Sequence, residues 1–446
     1  MKKVTAIFCL TIFIAASLFA EVITLEQVRV LALANSRTLA RHNLAIASSI
    51  LDGRSLLYSN LPSLSLGASA GISLWSPSRA APIENPMDTF SAGASISVSQ
   101  RIFEGGRNSI QRAINNLATE SARIDAMTEY FNVLDAAENA YYAVLEAAAT
   151  LEAEESALQN AISSLAIAEI RHSGGMITMG ELLRAMAEME GRENSRNQAR
   201  RVLALAMTQL RSITGLSHIQ ALEPVDFSRY EELILHLGNI SDEDADALYQ
   251  RFRSLITIGN PSLARAALAT QRSEMNLSLA NRGFAPNVGA SFSTGLNYTP
   301  SGGLELSGGR VSLSASIPVD FWVLNNNVQR SRIARDSAAL DFISAEIQLD
   351  TELQRALLNL FGYAGSVLSA RRSLEHAERH FEYISERYRL LQSSVAEHGE
   401  ASLLLINSRN NYIRVSYGFL QSLSRLRLLE AVDDEDRLIN ILLGNI

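Results

Sequence analysis

The chain has 446 residues, 47% hydrophobic and 19% charged, with a formal net charge of −8 and a single cysteine. That acidic balance argues against wholesale nucleic-acid binding, and one cysteine excludes an intrachain disulfide or a multi-thiolate metal site. Nine prolines and 25 glycines are placed unevenly, and the long Ala-, Leu-, Glu- and Arg-rich stretches that lack both read as helices.

In chain order, Lys2 and Lys3 precede an apolar run from Val4 to Ala20 broken only by Thr5, Thr11 and Ser17. This predicts a secretory signal peptide over 1–20, cleaved after Ala20 although Leu18 fits the minus-three position poorly. An uncleaved anchor is the alternative, but the run is short, carries three hydroxyls and lacks a stop-transfer flank. Cys9 lies inside this segment, so cleavage leaves no thiol and no lipoprotein-type acceptor. Loss of Lys2 and Lys3 leaves 37 basic residues against 47 acidic ones, a formal charge of −10. No later segment resembles a transmembrane helix.

The rest of the chain is a weak internal repeat at about 220 residues. A helical lead-in over 21–62 (TLEQVRVLALANSRTLA) corresponds to another over 245–285 (ending GNPSLARAALA), with Leu39 matched to Leu263. Leu61-Pro62 and Ala285-Pro286, offset by 224, each open a strictly alternating segment. The first hairpin, 63–99, alternates Leu64, Leu66, Ala68, Ala70, Ile72 and Leu74 with Ser and Gly. After the Pro-rich loop SPSRAAPIENPMDT it alternates Phe90, Ala92, Ala94, Ile96 and Val98 in the same way. The second, 286–319, repeats this with Val288, Ala290, Phe292, Thr294, Leu296 and Tyr298, then Val311, Leu313, Ala315, Ile317 and Val319. Period-two alternation of this kind predicts strands with one apolar face.

Long helical hairpins are expected over 107–214 and 328–431, each opening with a helix of roughly 100 Å. Apolar residues recur at sevens, as Leu117, Ile124, Phe131 and Leu145, and as Met127, Leu134, Tyr141 and Ala148. Ile333, Leu340 and Ile347, then Phe361 and Leu368, continue the pattern less cleanly. That period signals coiled-coil packing. HSGGMITMGE and SSVAEHGEAS interrupt the helices, so Gly174, Gly175 and Gly399 are the expected tip turns. FWVLNNNVQR lacks the glycine pair of FEGGR, which assigns that strand-to-helix turn to Asn325–Asn327. A linker or equatorial region over 215–244 and a C-terminal tail over 432–446 complete the division.

The strands have transmembrane length, and their Ser and Gly faces suit a water-filled lumen. A soluble sandwich is the alternative, but four strands with many alanines make a thin core. Trp75 and Tyr298 at the loop ends, and Phe103, Phe321 and Trp322 at the helix ends, fall where bilayer-interface aromatics belong. Four strands cannot close a barrel in hydrocarbon, so oligomerisation is required.

These pieces resemble the TolC-type outer-membrane efflux proteins. The resemblance is carried by TLEQVRVLALANSRTL and NPSL, LPSLSLGAS and APNVGAS, SVSQRIFEGGR, RHSGGMITMGELLRA with LRSITGL, and GEASLLLINSR, in doubled order. It implies a mainly α fold with a transmembrane β part: a homotrimer whose strands form a twelve-stranded β-barrel in outer-membrane lipid, on a periplasmic α-helical barrel. It also implies an exit duct without chemistry or cofactor, served by a periplasmic adaptor (membrane fusion) protein and an inner-membrane RND or ABC transporter. Glu181 falls at the family's acidic tip position, where three copies would make a cation-responsive constriction; Thr178 to Glu181 also reads as a capping box. Ala401 and Leu405 stand where relatives can carry arginine and acid, leaving Glu397, His398 and Glu400 as substitutes or as plain solvated tip residues.

Two other classes compete. An enzyme finds little support, since only His376 and His380 share a helix face and LEHAERHFEY lacks the HExxH order. A periplasmic coiled-coil spacer or adhesin accounts for the heptads but not for the hairpins.

Overall fold

The computed structural model describes residues 22–72, 90–430 and 435–444. The expected signal peptide, Trp75 and the Pro-rich loop lie outside the described residues. The chain divides into two compact units. One holds His42–Asp125 and Ser262–Ala345; the other holds the stretch up to Arg41, Ala126–Pro261 and everything from Glu346.

Helix α1 (Leu25–Asn35) belongs to the second of these units; α2 (Arg37–Tyr58), at whose start Ser36 Oγ accepts the Leu39 amide, belongs to the first from His42 onward. Strands β1 (Ser63–Ile72), β2 (Phe90–Phe103), β3 (Asn287–Thr299) and β4 (Gly303–Ser316) form one antiparallel sheet in that order. Among the described residues β1 and β4 are therefore edge strands, each pairing on one side only. The turn after β2 needs glycine: Gly105 and Gly106 have φ of 64° and 80°, and a Cβ on Gly105 would stand 2.1 Å from that of Ala285. After β4 the structure differs from the sequence expectation. Asn325–Asn327 lie within a long helix beginning at Phe321, and the turn is made by Ile317–Asp320, the Asp320 carbonyl accepting from Val323 and Leu324. Pro318 stops the strand and Asp320 opens the helix, so no asparagine turn is required.

The second unit is helical. Helix α3 (Arg107–Ser173) continues into it and returns through α4 (Met179–Thr214). α5 (Glu231–Gly238) and α6 (Asp242–Gly259) follow, while α7 (Pro261–Asn281) belongs from Ser262 onward to the first unit. The second long pair, α8 (Phe321–Arg389), which belongs to this unit from Glu346 onward, and α9 (Val395–Glu430), and the short α10 (Glu435–Leu442) complete it. Residues 215–244 contain α5, whose Gly238 lies so close to α8 that a Cβ would sit 3.2 Å from the Ala364 carbonyl. Of the expected rows, Leu134 and Tyr141 are buried but Met127, Ile333, Leu340 and Ile347 are exposed within the chain, and the buried seams run at sevens through other residues. Ala140, Ala147, Glu154, Ala161 and Ala168 are buried at sevens along α3, and Leu353, Leu360 and Val367 along α8. Small residues let backbones approach, and larger apolar ones fill what remains.

Both long helices end in the same hydrogen-bond pattern. At the first tip Met176 donates to the Arg171 carbonyl and Gly175 to that of His172, with Gly175 left-handed at φ 71°. At the second, Gln392 donates to Arg387 and Leu391 to Tyr388, and the left-handed residue is Leu391 at φ 62°. Each is a Schellman stop. Gly399, expected as the second turn, instead sits inside α9, where a Cβ would meet the Glu188 carboxylate at 2.7 Å. Left-handed backbone costs an L-residue about 1–2 kcal/mol, partly offset by the unfolded-state freedom of glycine. Leu391→Gly should therefore raise stability by about 0.5–1 kcal/mol in denaturant unfolding; a loss would show that the Leu391 side chain contributes more than its backbone costs.

Candidate functional site: an exposed sheet face and two hairpin tips

Strand register sorts the side chains cleanly. Across the sheet, Leu64, Val98, Phe292 and Val311 align, as do Ala68, Ala94, Leu296 and Leu306, and Ala70, Ala92, Tyr298 and Leu304. The opposite face aligns Ser63, Ser99, Ser291 and Ser312, then Ser65, Ser97, Ser293 and Arg310, then Gly67, Ser95, Gly295 and Ser307. Ser63 with Ser99, and Ser65 with Ser97, form hydroxyl pairs at 2.6 Å. Among the described residues nothing covers the apolar face: Leu66 is 75% and Val311 80% exposed.

Alternation alone does not reveal one device in β4. Val311 and Leu313 are odd-numbered and Leu304 and Leu306 even-numbered, yet all share the apolar face. The register shifts between Ser293 and Gly295, opposite Gly308 and Gly309, and this bulge resets the phase. A doubled glycine inside an alternating run is the signal for it.

Of the expected interface aromatics, Phe103, Tyr298, Phe321 and Trp322 are all exposed, Trp322 to 70%. Tyr298 packs edge-on against Phe90, with ring centroids 6.3 Å apart. Phe321 stacks on Phe284 at 6.4 Å.

At the first tip Thr178 and Glu181 form a reciprocal capping box: Glu181 donates its amide to Thr178 Oγ1 at 3.3 Å, and its carboxylate accepts the Thr178 amide at 2.9 Å. The second tip repeats it. Glu397 donates its amide to Ser394 Oγ, its carboxylate accepts the Ser394 amide, both at 3.1 Å, and Ser393 adds a hydroxyl donor. These bonds, that from Ser393 first, hold the Glu397 carboxyl below its ordinary range. Ser394-x-x-Glu397 was the legible signal. Glu400 is exposed and 3.9 Å from Arg184.

His398 is a correction to the solvated-tip alternative: it is 6% exposed. Its Nδ1 and Nε2 lie 3.2 Å from the hydroxyls of Ser164 and Ser385, and its ring stacks on Tyr388 at 4.6 Å. Tyr388 donates to the Ser164 carbonyl at 3.2 Å, while Arg171 covers the Tyr388 ring and donates to the Ser393 carbonyl at 3.1 Å. Ala168, Leu182, Ala185 and Val395 close an apolar core around Tyr388. The network ties α3, α8 and α9 together at the tips.

Burial, followed by the nearby positive charge of Arg389, lowers the His398 pKa. Between the lowered folded value and the ordinary value of about 6.5 the unfolded chain binds the extra proton, so stability falls as pH drops below about 6.5. Amides around Ser385 and His398 should lose hydrogen-exchange protection on acidification. His398→Gln should flatten that dependence; an unchanged slope would assign it to another group.

His376 and His380 are exposed, and among the described residues no cluster of three potential metal-ligating His, Cys, Asp or Glu side chains occurs. No helix among the described residues is long and apolar enough to cross a membrane.

Residues 28–216 and 253–430, covering both repeats, match the family described as "Outer membrane efflux protein". No curated protein sequence matches. Among solved structures, the CmeC outer membrane channel of Campylobacter jejuni superposes with a TM-score of 0.74 at 16% identity, over 95% of this chain and 89% of that one. VceC of Vibrio cholerae gives 0.73 at 16% identity, over 92% and 97%. The open state of the Neisseria gonorrhoeae MtrE channel gives 0.64 at 14% identity, over 92% and 89%. At these identities the structures speak for the fold.

Proposed function

The chain belongs to the outer membrane efflux protein family, and we propose that three copies assemble into the passive exit duct of a tripartite efflux pump or type I secretion system. The single observation that carries this reading is the sheet: one face exposed and apolar, the other lined by hydroxyls and glycines, and both edges open. Open edges are not tolerated in hydrocarbon. Because the four strands alternate in direction, β4 of one copy can pair antiparallel with β1 of the next, and three copies supply twelve strands.

The long helices then continue the conduit into the periplasm, where the two tips meet the adaptor and the inner-membrane transporter of RND or ABC type. Phe103, Tyr298, Phe321 and Trp322 would sit at the bilayer boundaries. Glu181 and Glu397, each carried in a capping box on an ordered tip, give the duct six carboxylates at its narrow end. Like charges gathered near an axis attract cations.

Single-channel recording tests both parts. Protein extracted from outer membranes should open ion-conducting pores in planar bilayers, and divalent cations on the tip side should block them. Glu181→Ala should weaken that block, and an unchanged block would remove Glu181 from the gate. A chain released by osmotic shock as a non-conducting soluble protein would support the coiled-coil spacer instead.

A further inference from the structure

The polar face of the sheet is nearly uncharged, and its few charges sit at different levels. Among the described residues, the rows aligned by register carry only Arg101, Arg310 and Glu305 as charged side chains. Arg101, level with Gly289, is paired with Glu104 at 3.1 Å. Arg310 lies in the row of Ser65, Ser97 and Ser293, is exposed, and has no ion pair among the described residues. The rows on either side of it contain only serine and glycine. Glu305 lies two rows away, level with Asn297, Gly93 and Ser69, towards the Thr299–Gly303 turn.

Two rows are four residues, about 14 Å along an antiparallel strand. That exceeds the screening length of about 8 Å at physiological ionic strength, so Glu305 does not neutralise Arg310. The bulge matters here as well. Without the shift at Gly308 and Gly309, Arg310 could not share a face with Glu305 and Ser307 while Leu304, Leu306 and Val311 share the other.

We propose that Arg310 is the selectivity-determining residue of the barrel lumen: three copies form a cationic ring inside a neutral hydroxyl wall that favours anions and the carboxylate or phosphate groups of passing cargo. This rests on the twelve-stranded duct proposed above. A guanidinium can pair with such groups bidentately, and the neutral wall offers no competing partner. Glu305 forms the opposing ring nearer the strand ends, so the lumen presents a cationic level and an anionic one in series.

The test is the reversal potential of purified channels in planar bilayers under a potassium chloride gradient. Arg310→Gln should shift permeability towards potassium several-fold, Glu305→Gln should shift it towards chloride, and Arg310→Lys should retain most of the wild-type preference. Trimer mass should be unchanged in all three, because both side chains are exposed. If Arg310→Gln channels of wild-type mass and conductance keep the wild-type reversal potential, the inference is overturned. A wild-type chain that forms no pore would overturn the duct reading itself, which is a separable outcome.

Discussion

Replacing Glu138 by alanine should destabilise the helical unit by about 3–5 kcal/mol, because it strands the buried Arg427 and leaves the buried Arg29 only the exposed Glu26 as a partner. Glu138 is 1% exposed on α3. It accepts from Arg29 Nε of α1 at 2.8 Å, from Arg427 of α9 and from the Ser424 hydroxyl. One carboxylate thus joins three helices, and both guanidiniums are almost wholly buried. Removing it leaves uncompensated charge in low dielectric, a larger penalty than the pairing itself is worth. The comparison that isolates this cause is the triple replacement Arg29→Met, Glu138→Leu and Arg427→Met. It should unfold much closer to the wild-type denaturant midpoint than Glu138→Ala does. If the triple variant is worse than the single one, the triad stabilises by pairing and the stranded-charge explanation fails.

The second large effect separates two neighbours in sequence. Leu66→Arg places a cation on the apolar face in mid-strand, where burial of charge against lipid costs about 2–4 kcal/mol per copy. Ser65→Arg, one residue away, points to the hydroxyl face. The first should abolish the detergent-resistant, heat-modifiable oligomer in outer membranes, and the second should leave it intact with altered conductance. Equal tolerance of both would mean that neither face meets lipid.

Much of this was legible because two periods dominate the chain. Alternation placed the four strands, and the sevens placed the long helices, since each period commits many residues to one face. What escaped were sites where a single residue departs from its period. The row Leu117, Ile124, Phe131, Leu145 skips position 138, and that gap is the buried Glu138, a polar group whose partners lie more than a hundred residues away in sequence. Gly399 looked like a turn because glycine often ends helices, but the stop is made by Leu391, a residue with no propensity for it. Asn325–Asn327 looked like a turn because asparagine favours turns, while Pro318 and Asp320 had already made one. His398 reads as a surface histidine in EHGEAS, and only the packing of α3 and α8 against α9 buries it.

The most direct measurement is closure of the barrel. Cys9 is the only cysteine, so Cys9→Ser with Ser65→Cys on β1 and Ser312→Cys on β4 gives one thiol at each sheet edge. Within a chain these strands are three spacings apart, about 14 Å, and a bifunctional thiol reagent shorter than that reports contact between copies. Treated in intact outer membranes, the chain should yield cross-linked species of two and three copies and nothing larger. A chain that stays monomeric, or a ladder that runs past three, would contradict the twelve-stranded duct.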